Sequence, residues 1–230
     1  MPAKILVSYD DTANDRDAAT LGRLLGTAGA TVELAYVRHD RGADPSREVL
    51  REEEAHELLA RGAQALGAQD ARRHVILHAS TGAGLRELAE REGVDVVVFG
   101  SDYRTAAGSV KPGVSVQRLL SGGPSAVAIA TAHLRERPQY EQRRIGVLSE
   151  GPDLAAAETA QSLADAIGAD VVDTRSGDLD LLVIGSRPEA ELGRVMLSAV
   201  AEYAIDLSRC PVLVVPRGTA VRFGTPVLVA

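Results

Sequence analysis

Three short stretches place reactive or backbone-permissive residues where a ligand could meet them. Asp10 closes KILVSYD, Gly100 closes VDVVVFG, and Gly113 precedes Val114 and Ser115 at the start of a helical segment. A carboxylate at a strand end accepts hydrogen bonds from groups such as an adenine or a ribose, and a glycine lets the backbone approach a flat or charged ligand. Unpaired amides at a helix start favour phosphate. The bland reading stands beside this one, since an Asp after a strand is an ordinary turn or cap residue. Asp10 and Asp11 are also adjacent carboxylates of the kind that metal-assisted phosphoryl chemistry uses, but neighbouring strand positions point to opposite faces.

Other reactive residues read as structural. His74 and His78 share a face of an expected strand without a metal-ligand pattern around them. Cys210, the only cysteine, opens an apolar strand with no activating histidine nearby in sequence. SGGPS at 121–125 lies between a helix and a strand and reads as a helix-ending glycine turn.

Hydrophobic periodicity supplies the elements that must position these groups. Strands are expected at 4–10, 32–37, 73–79, 94–100 and 125–130, and helices after the first strand up to Gly29, then at 46–66, 81–91 and 115–120. Alternation of this kind predicts an α/β, Rossmann-like open parallel sheet covered on both faces. Ligands in such sheets lie beyond the carboxyl ends of the strands.

The chain then repeats itself. RIGVLSEG at 144–151 matches KILVSYDD at 4–11, and LDLLVIGS at 179–186 matches VDVVVFGS at 94–101. The first pair of strings lies further apart than the second, so the repeat has lost a stretch after its second strand, enough for most of one helix, one strand and one further helix. The second unit is expected to hold strands near 145–149, 170–174, 180–185 and 211–215, with helices at 153–167 and 192–207. Three divisions follow: a complete α/β domain over 1–133, a truncated one over 143–217, and a tail over 218–230 that is either an added edge strand or a frayed end. The charged, proline-containing stretch between the domains reads as a linker. A duplicated scaffold also predicts separate units rather than one sheet running through both.

ILVSYDD, VVVFGSDY, PGVSVQRLLSGGPSAVAIA and RCPVLVVPRG resemble the universal stress protein family in its tandem form, over residues 1–133 and, shortened, 143–217. The resemblance implies that Asp10 and the Val37 backbone hold adenosine. It implies that Gly100, Gly113, Val114 and Ser115 line the phosphates of ATP or AMP, with magnesium as an accompanying cation. Tyr103 stands where the family pattern has its middle glycine, and Val114 where it has Ser or Thr; Ser109, Lys111 and Ser115 are candidates to compensate. In the second copy Glu150, Pro188, Ser198 and Ala199 replace the ligand-binding types, and a proline removes an amide donor. The resemblance further implies antiparallel pairing of Ala126–Ala130 with Pro211–Val215, making the second half a built-in dimer partner.

The 230 residues, 45% hydrophobic, carry 25 Lys and Arg against 32 Asp and Glu, for a formal charge of −7. Scattered basic residues disfavour nucleic acid, no apolar run suggests a membrane span, and the start of the chain reads as cytoplasmic rather than exported. The expected function is a non-catalytic stress or regulatory module that binds ATP or AMP in its first half, either on its own as an intramolecular pseudo-dimer or as a homodimer. The competing readings are a nucleotide-free interaction module, which a Tyr103 ring filling the cleft would favour, and a slow ATPase or self-phosphorylating enzyme working through Asp10.

Overall fold

The computed structural model describes residues 2–39, 45–137, 139–174 and 177–224. Residues 40–44, Pro138 in the stretch between the halves, and the end of the tail lie outside the described residues. The first half runs β1 (Lys4–Ser8), α1 (Ala13–Gly26), β2 (Thr31–Arg38), α2 (Pro45–Leu66), β3 (Arg73–Leu77), α3 (Thr81–Glu92), β4 (Val96–Phe99), α4 (Val114–Leu120) and β5 (Ala126–Ile129). The second runs β6 (Arg144–Leu148), α5 (Ala155–Ile167), β7 (Asp170–Val172), β8 (Leu181–Gly185), α6 (Ala199–Leu207) and β9 (Val212–Val215).

The strands form one nine-stranded sheet in the order β3-β2-β1-β4-β5-β9-β8-β6-β7. Every pairing is parallel except β5 with β9, where Val127 faces Val214 and Ile129 faces Val212. The expectation of separate sheets therefore fails, because the edge pairing implied by the resemblance itself makes the sheet continuous. Chain polarity reverses at this seam, so each side keeps its own parallel set, and each set's open edge strand is covered by the other's.

Alternating β-branched and small residues feed two layers. Ile5, Val7, Val96, Val98, Val183 and Leu213 face α1, α2 and α5, while Leu6, Val97, Val127, Leu182, Ile184 and Val214 face α3, α4 and α6. The stretch lost from the repeat corresponds to α2, β3 and α3, so the second half has a single helix on each face.

Two elements depart from the sequence reading. The helix expected from residue 192 begins at Ala199, because Ser198 caps it by accepting the amide of Ala201 at 3.0 Å, and the preceding loop is clipped by an Arg187 amide to Met196 carbonyl bond of 2.9 Å. The stretch between the halves is a packed strap rather than a loose linker. His133 takes a left-handed backbone at φ 66°, a short 3-10 turn spans Leu134–Glu136, and the buried Tyr140 donates its hydroxyl proton to the Asp180 carbonyl. The tail is anchored as far as residue 224: the amides of Val221 and Phe223 donate to Thr159 and Ser162 of α5, both at 2.9 Å.

Candidate functional site

The Gly-Ser pair that follows β4 and β8 has the same task in both halves. Ser101 donates to the carbonyl of Ala130 at 2.7 Å and accepts the amide of Lys111 at 3.2 Å. Ser186 donates to Val215 at 2.7 Å and accepts from Met196 at 3.2 Å. A buried hydroxyl thus clips the loop after the strand onto the end of the next strand, which explains a repeated Gly-Ser without any ligand. It also fixes the structural register between the halves, with Ser101 on Ser186 and Lys111 on Met196.

In the first half Asp10, Val37 and Gly100 stand at the carboxyl ends of the parallel strands β1, β2 and β4, and Gly113 opens α4 beyond the loop that follows β4. Asp10 is exposed and accepts the amide of Thr12 at 3.1 Å, holding the turn into α1. Val37 is buried in β2. Gly100 meets helix α1 directly, since a side chain there would lie 2.1 Å from the carbonyl oxygen of Asn14. Gly113 is open, with only the Asp102 carboxylate at 4.0 Å from the position a side chain would take, and its φ of −76° is one any residue adopts. Val114 is 79% exposed at the start of α4. Ser115 packs its backbone against Gly82 of α3, Lys111 is exposed, and the Ser109 hydroxyl accepts from Arg209 of the second half. Tyr103 does not fill a cleft; it is 71% exposed beneath the Arg104 guanidinium, 5.0 Å from the ring centre.

Two further carboxyl groups, Asp102 and Asp15, stand here that the motif glycines and Asp10 do not announce. Asp102 accepts the amide of Arg104 at 3.1 Å and places negative charge beside Gly113. Asp15 accepts the Asp10 amide at 2.9 Å and the Thr12 hydroxyl at 2.8 Å. Burial, then its side-chain hydrogen bond with Asp10, pushes Asp15 up to about 8. The signal available was the Thr-x-x-Asp spacing of a capping box. A carboxyl raised from its unfolded value of about 4 binds its proton more tightly in the folded state, so its stabilisation is full below about pH 4 and is lost as pH climbs towards about 8. Urea midpoints are therefore expected to fall between about pH 5 and about pH 8, and Asp15→Asn, neutral throughout, to flatten that slope. An unchanged slope in the variant would assign the effect elsewhere.

Asp11 is engaged differently. It has a left-handed backbone, φ 66°, and its carboxylate meets Arg61 at 2.9 Å, Arg16 at 3.0 Å and the Tyr9 hydroxyl at 2.9 Å. Arg61, then the Tyr9 and Arg16 contacts, lower the Asp11 carboxyl, while burial and then Asp11 push the Tyr9 phenol up to about 12. Asp10 and Asp11 consequently do not converge on one point. His74 is held by Glu33 at 2.7 Å and His78 by Ser80, and among the described residues no group of three metal-ligating side chains forms. Cys210 is buried and its thiol is pushed up by that burial. Gly122, at φ 96°, ends α4 in the expected turn.

The second half closes the same location. Glu150, at the position of Asp10, accepts the hydroxyl of Ser198, at the position of Gly113. Pro188 lies against the β6–α5 turn, 3.1 Å from where Gly151 would carry a side chain. A direct carboxylate-to-cap bond occupies the space that stays open beside Gly113.

The model of the universal stress protein family matches residues 1–131 and again 124–216. Among solved structures, the chain is similar to a universal stress protein from Archaeoglobus fulgidus at a TM-score of 0.67 and 16% identity, covering 94% of this chain and 98% of that one. A putative universal stress protein from Pseudomonas aeruginosa gives 0.65 and 14%, covering 94% of each. Both cover nearly the full length, so the fold shared with them is that of the whole chain rather than of one half. No curated protein matches the sequence. Among the described residues, no helix is long and apolar enough to cross a membrane.

Proposed function

The chain belongs to the universal stress protein family, and from that premise we propose that it is a regulatory module with a single adenine-nucleotide site, in its first half, and a second half that serves as a built-in pseudo-dimer partner. The observation that carries this reading is the contrast between the copies: space is open at Gly113, whereas Ser198 is sealed by Glu150. Asp10 and the Val37 backbone would hold the adenosine, and Gly100, Gly113, Val114 and Ser115 would line the phosphate. The Asp102 carboxylate beside Gly113 repels each added phosphate charge, so AMP is the favoured ligand over ATP. Magnesium would accompany ATP as a counter-charge at that same carboxylate, so the preference for AMP is expected in magnesium-free buffer.

Thermal melting with adenosine, AMP and ATP tests the reading. Ligand at about 100 times its dissociation constant adds roughly 2.7 kcal/mol, which for a chain of this size is several degrees. AMP is expected to raise the midpoint more than ATP, Asp102→Asn to reduce the difference, and Gly113→Ala to remove the shift while leaving unliganded stability within about 0.5 kcal/mol. Absence of any shift would favour the nucleotide-free interaction module, a reading supported by Gly100 being taken up in packing against Asn14. An enzymatic role through Asp10 and Asp11 gains no support, because Arg16, Arg61 and Tyr9 already occupy the Asp11 carboxylate.

A further inference from the structure

We propose that the exposed flank of α6, with the groove beside it, is the docking seat for a short amphipathic helix of a partner protein, which takes in the second half the place that α3 holds in the first. The register set by the two serine clips, Ser101 on Ser186, superimposes Ser115 on Val200, Arg118 on Tyr203 and Gly122 on Leu207. In the first half this flank of α4 is where α3 lies: a side chain at Gly82 would come within 2.7 Å of the Ser115 carbonyl and 3.1 Å of the Arg118 Cβ. Leu85, Leu88 and Ala89 then complete the core over Val97 and Leu119.

The second half has no helix in place of α3; of the described residues, only Leu179 and Thr174 reach over the sheet there, against Gly146, and they leave the flank of α6 uncovered. Val200, Tyr203 and Leu207 are 54%, 64% and 57% exposed, at the i, i+3 and i+7 spacing of one helix face. Three large apolar side chains thus stand at positions where the covered copy has Ser, Arg and Gly. Beside them opens a groove of about 590 Å³ lined by Leu179, Leu182, Ala204 and Leu207. Leu179, Leu182 and Ala204 occupy the positions of Val94, Val97 and Leu119, which belong to the core that α3 completes in the first half.

The covered copy also states what fits. A glycine where α3 crosses α4, then leucines three and six positions later, are the residues that face inward. Because Val200 and Tyr203 are bulkier than Ser115 and the Arg118 stem, the occupant needs an equally small residue at its crossing point. Charge narrows it further. Of the charged side chains lining the groove, Arg137 lies over the Tyr140 ring, Arg209 donates to Ser109, and Asp180 accepts the amides of Arg143 and Arg144. Asp178, at the position of the α3 cap Gly93, has no such partner among the described residues. A cation in the last turn of the incoming helix suits both Asp178 and the helix dipole. A second copy of the chain fits less well, since two nine-residue α6 helices laid together bury far less than the roughly 1,200 Å² of a stable interface.

The probe is the chain's own α3 as a labelled synthetic peptide, residues 80–93, and its Glu92→Lys form, titrated into the full protein by fluorescence anisotropy. Saturable binding is expected, tighter for the Glu92→Lys peptide, and weakened by about tenfold or more by Tyr203→Asp in the protein or Gly82→Leu in the peptide. Tyr203 is exposed, so its variant should keep the parent melting midpoint and circular dichroism. Absence of binding by either peptide, or binding indifferent to Tyr203→Asp, overturns the proposal. So does sedimentation showing a dimer that Tyr203→Asp dissociates, which would make a second copy the occupant. Binding that appears only after removal of residues 225–230 would instead identify the chain's own tail as the occupant.

Discussion

Asp17→Ala is expected to destabilise the protein by about 3 kcal/mol or more, the largest effect of any single side-chain truncation considered. Asp17 projects from α1 and is 1% exposed. Its carboxylate accepts the amides of His133 at 2.8 Å and Arg135 at 2.9 Å, and both its oxygens receive the Arg135 guanidinium at 3.0 Å. Truncation leaves two amides of a tight turn and one partly buried cation without their acceptor. Arg135 keeps Glu136 at 2.9 Å and some access to water, which holds the cost below that of a fully enclosed pair. Because these bonds fix the strap that leads into β6, the loss should reach both halves, and urea unfolding should remain one transition with a lower midpoint. Asp17→Asn, which keeps an acceptor but not the charge, should lose about half as much. A near-native midpoint for Asp17→Ala would show that the strap is held by Tyr140 and Leu134 alone.

Gly100→Ala should be nearly as costly, about 3 kcal/mol, at the upper end of overpacking effects, because the added methyl meets a backbone carbonyl rather than a movable side chain. With the Asn14 oxygen 2.1 Å from the site of the new atom, the first turn of α1 must lift from the sheet. Gly185 is the built-in control. It occupies the equivalent position at the end of β8, but its nearest neighbours would be the Cβ atoms of Ala156 and Ser149, both at 3.5 Å, ordinary contact distance. Gly185→Ala should therefore stay within about 0.5 kcal/mol of the parent. Equal midpoints for the two variants would mean that α1 yields easily and that the glycine after β4 is kept for something other than packing.

That pair also shows where sequence reading reached its end. The alternation of strands and helices, the duplication and the shortening of its second copy were written in periodicity and in repeated strings, and the strands lie close to their expected places. What lay beyond reach were contacts between distant segments. VVVFG and LLVIG look alike, yet only the first glycine is pressed by a helix end, a difference set by how closely α1 and α5 approach the sheet. The helix expected from 192 carried an apolar rhythm through LGRVML, but the clip from Ser186 to Met196 holds that stretch as a loop. The proline and charges of 131–143 resembled a linker because the groups that tie them down, Asp17 and Asp180, are far away in sequence. In the candidate site, Asp10 and Gly113 were legible as types at strand and helix ends. Asp102 was equally visible but unweighted, since its effect depends on which way the loop turns.

The reversal of chain direction between β5 and β9 has one more outcome. Strands β1 and β4 finish in one direction and β6 and β8 in the other, so the open corner at Gly113 and the shut corner at Glu150 and Ser198 face opposite ways, on either side of the groove that Pro112, Met196 and Leu197 line together. Two identical units joined in this way would present the same face fore and aft, and would take two equivalents of anything they recognised. This chain has a bow and a stern, and its expected stoichiometry towards any small molecule of the Gly113 corner is one.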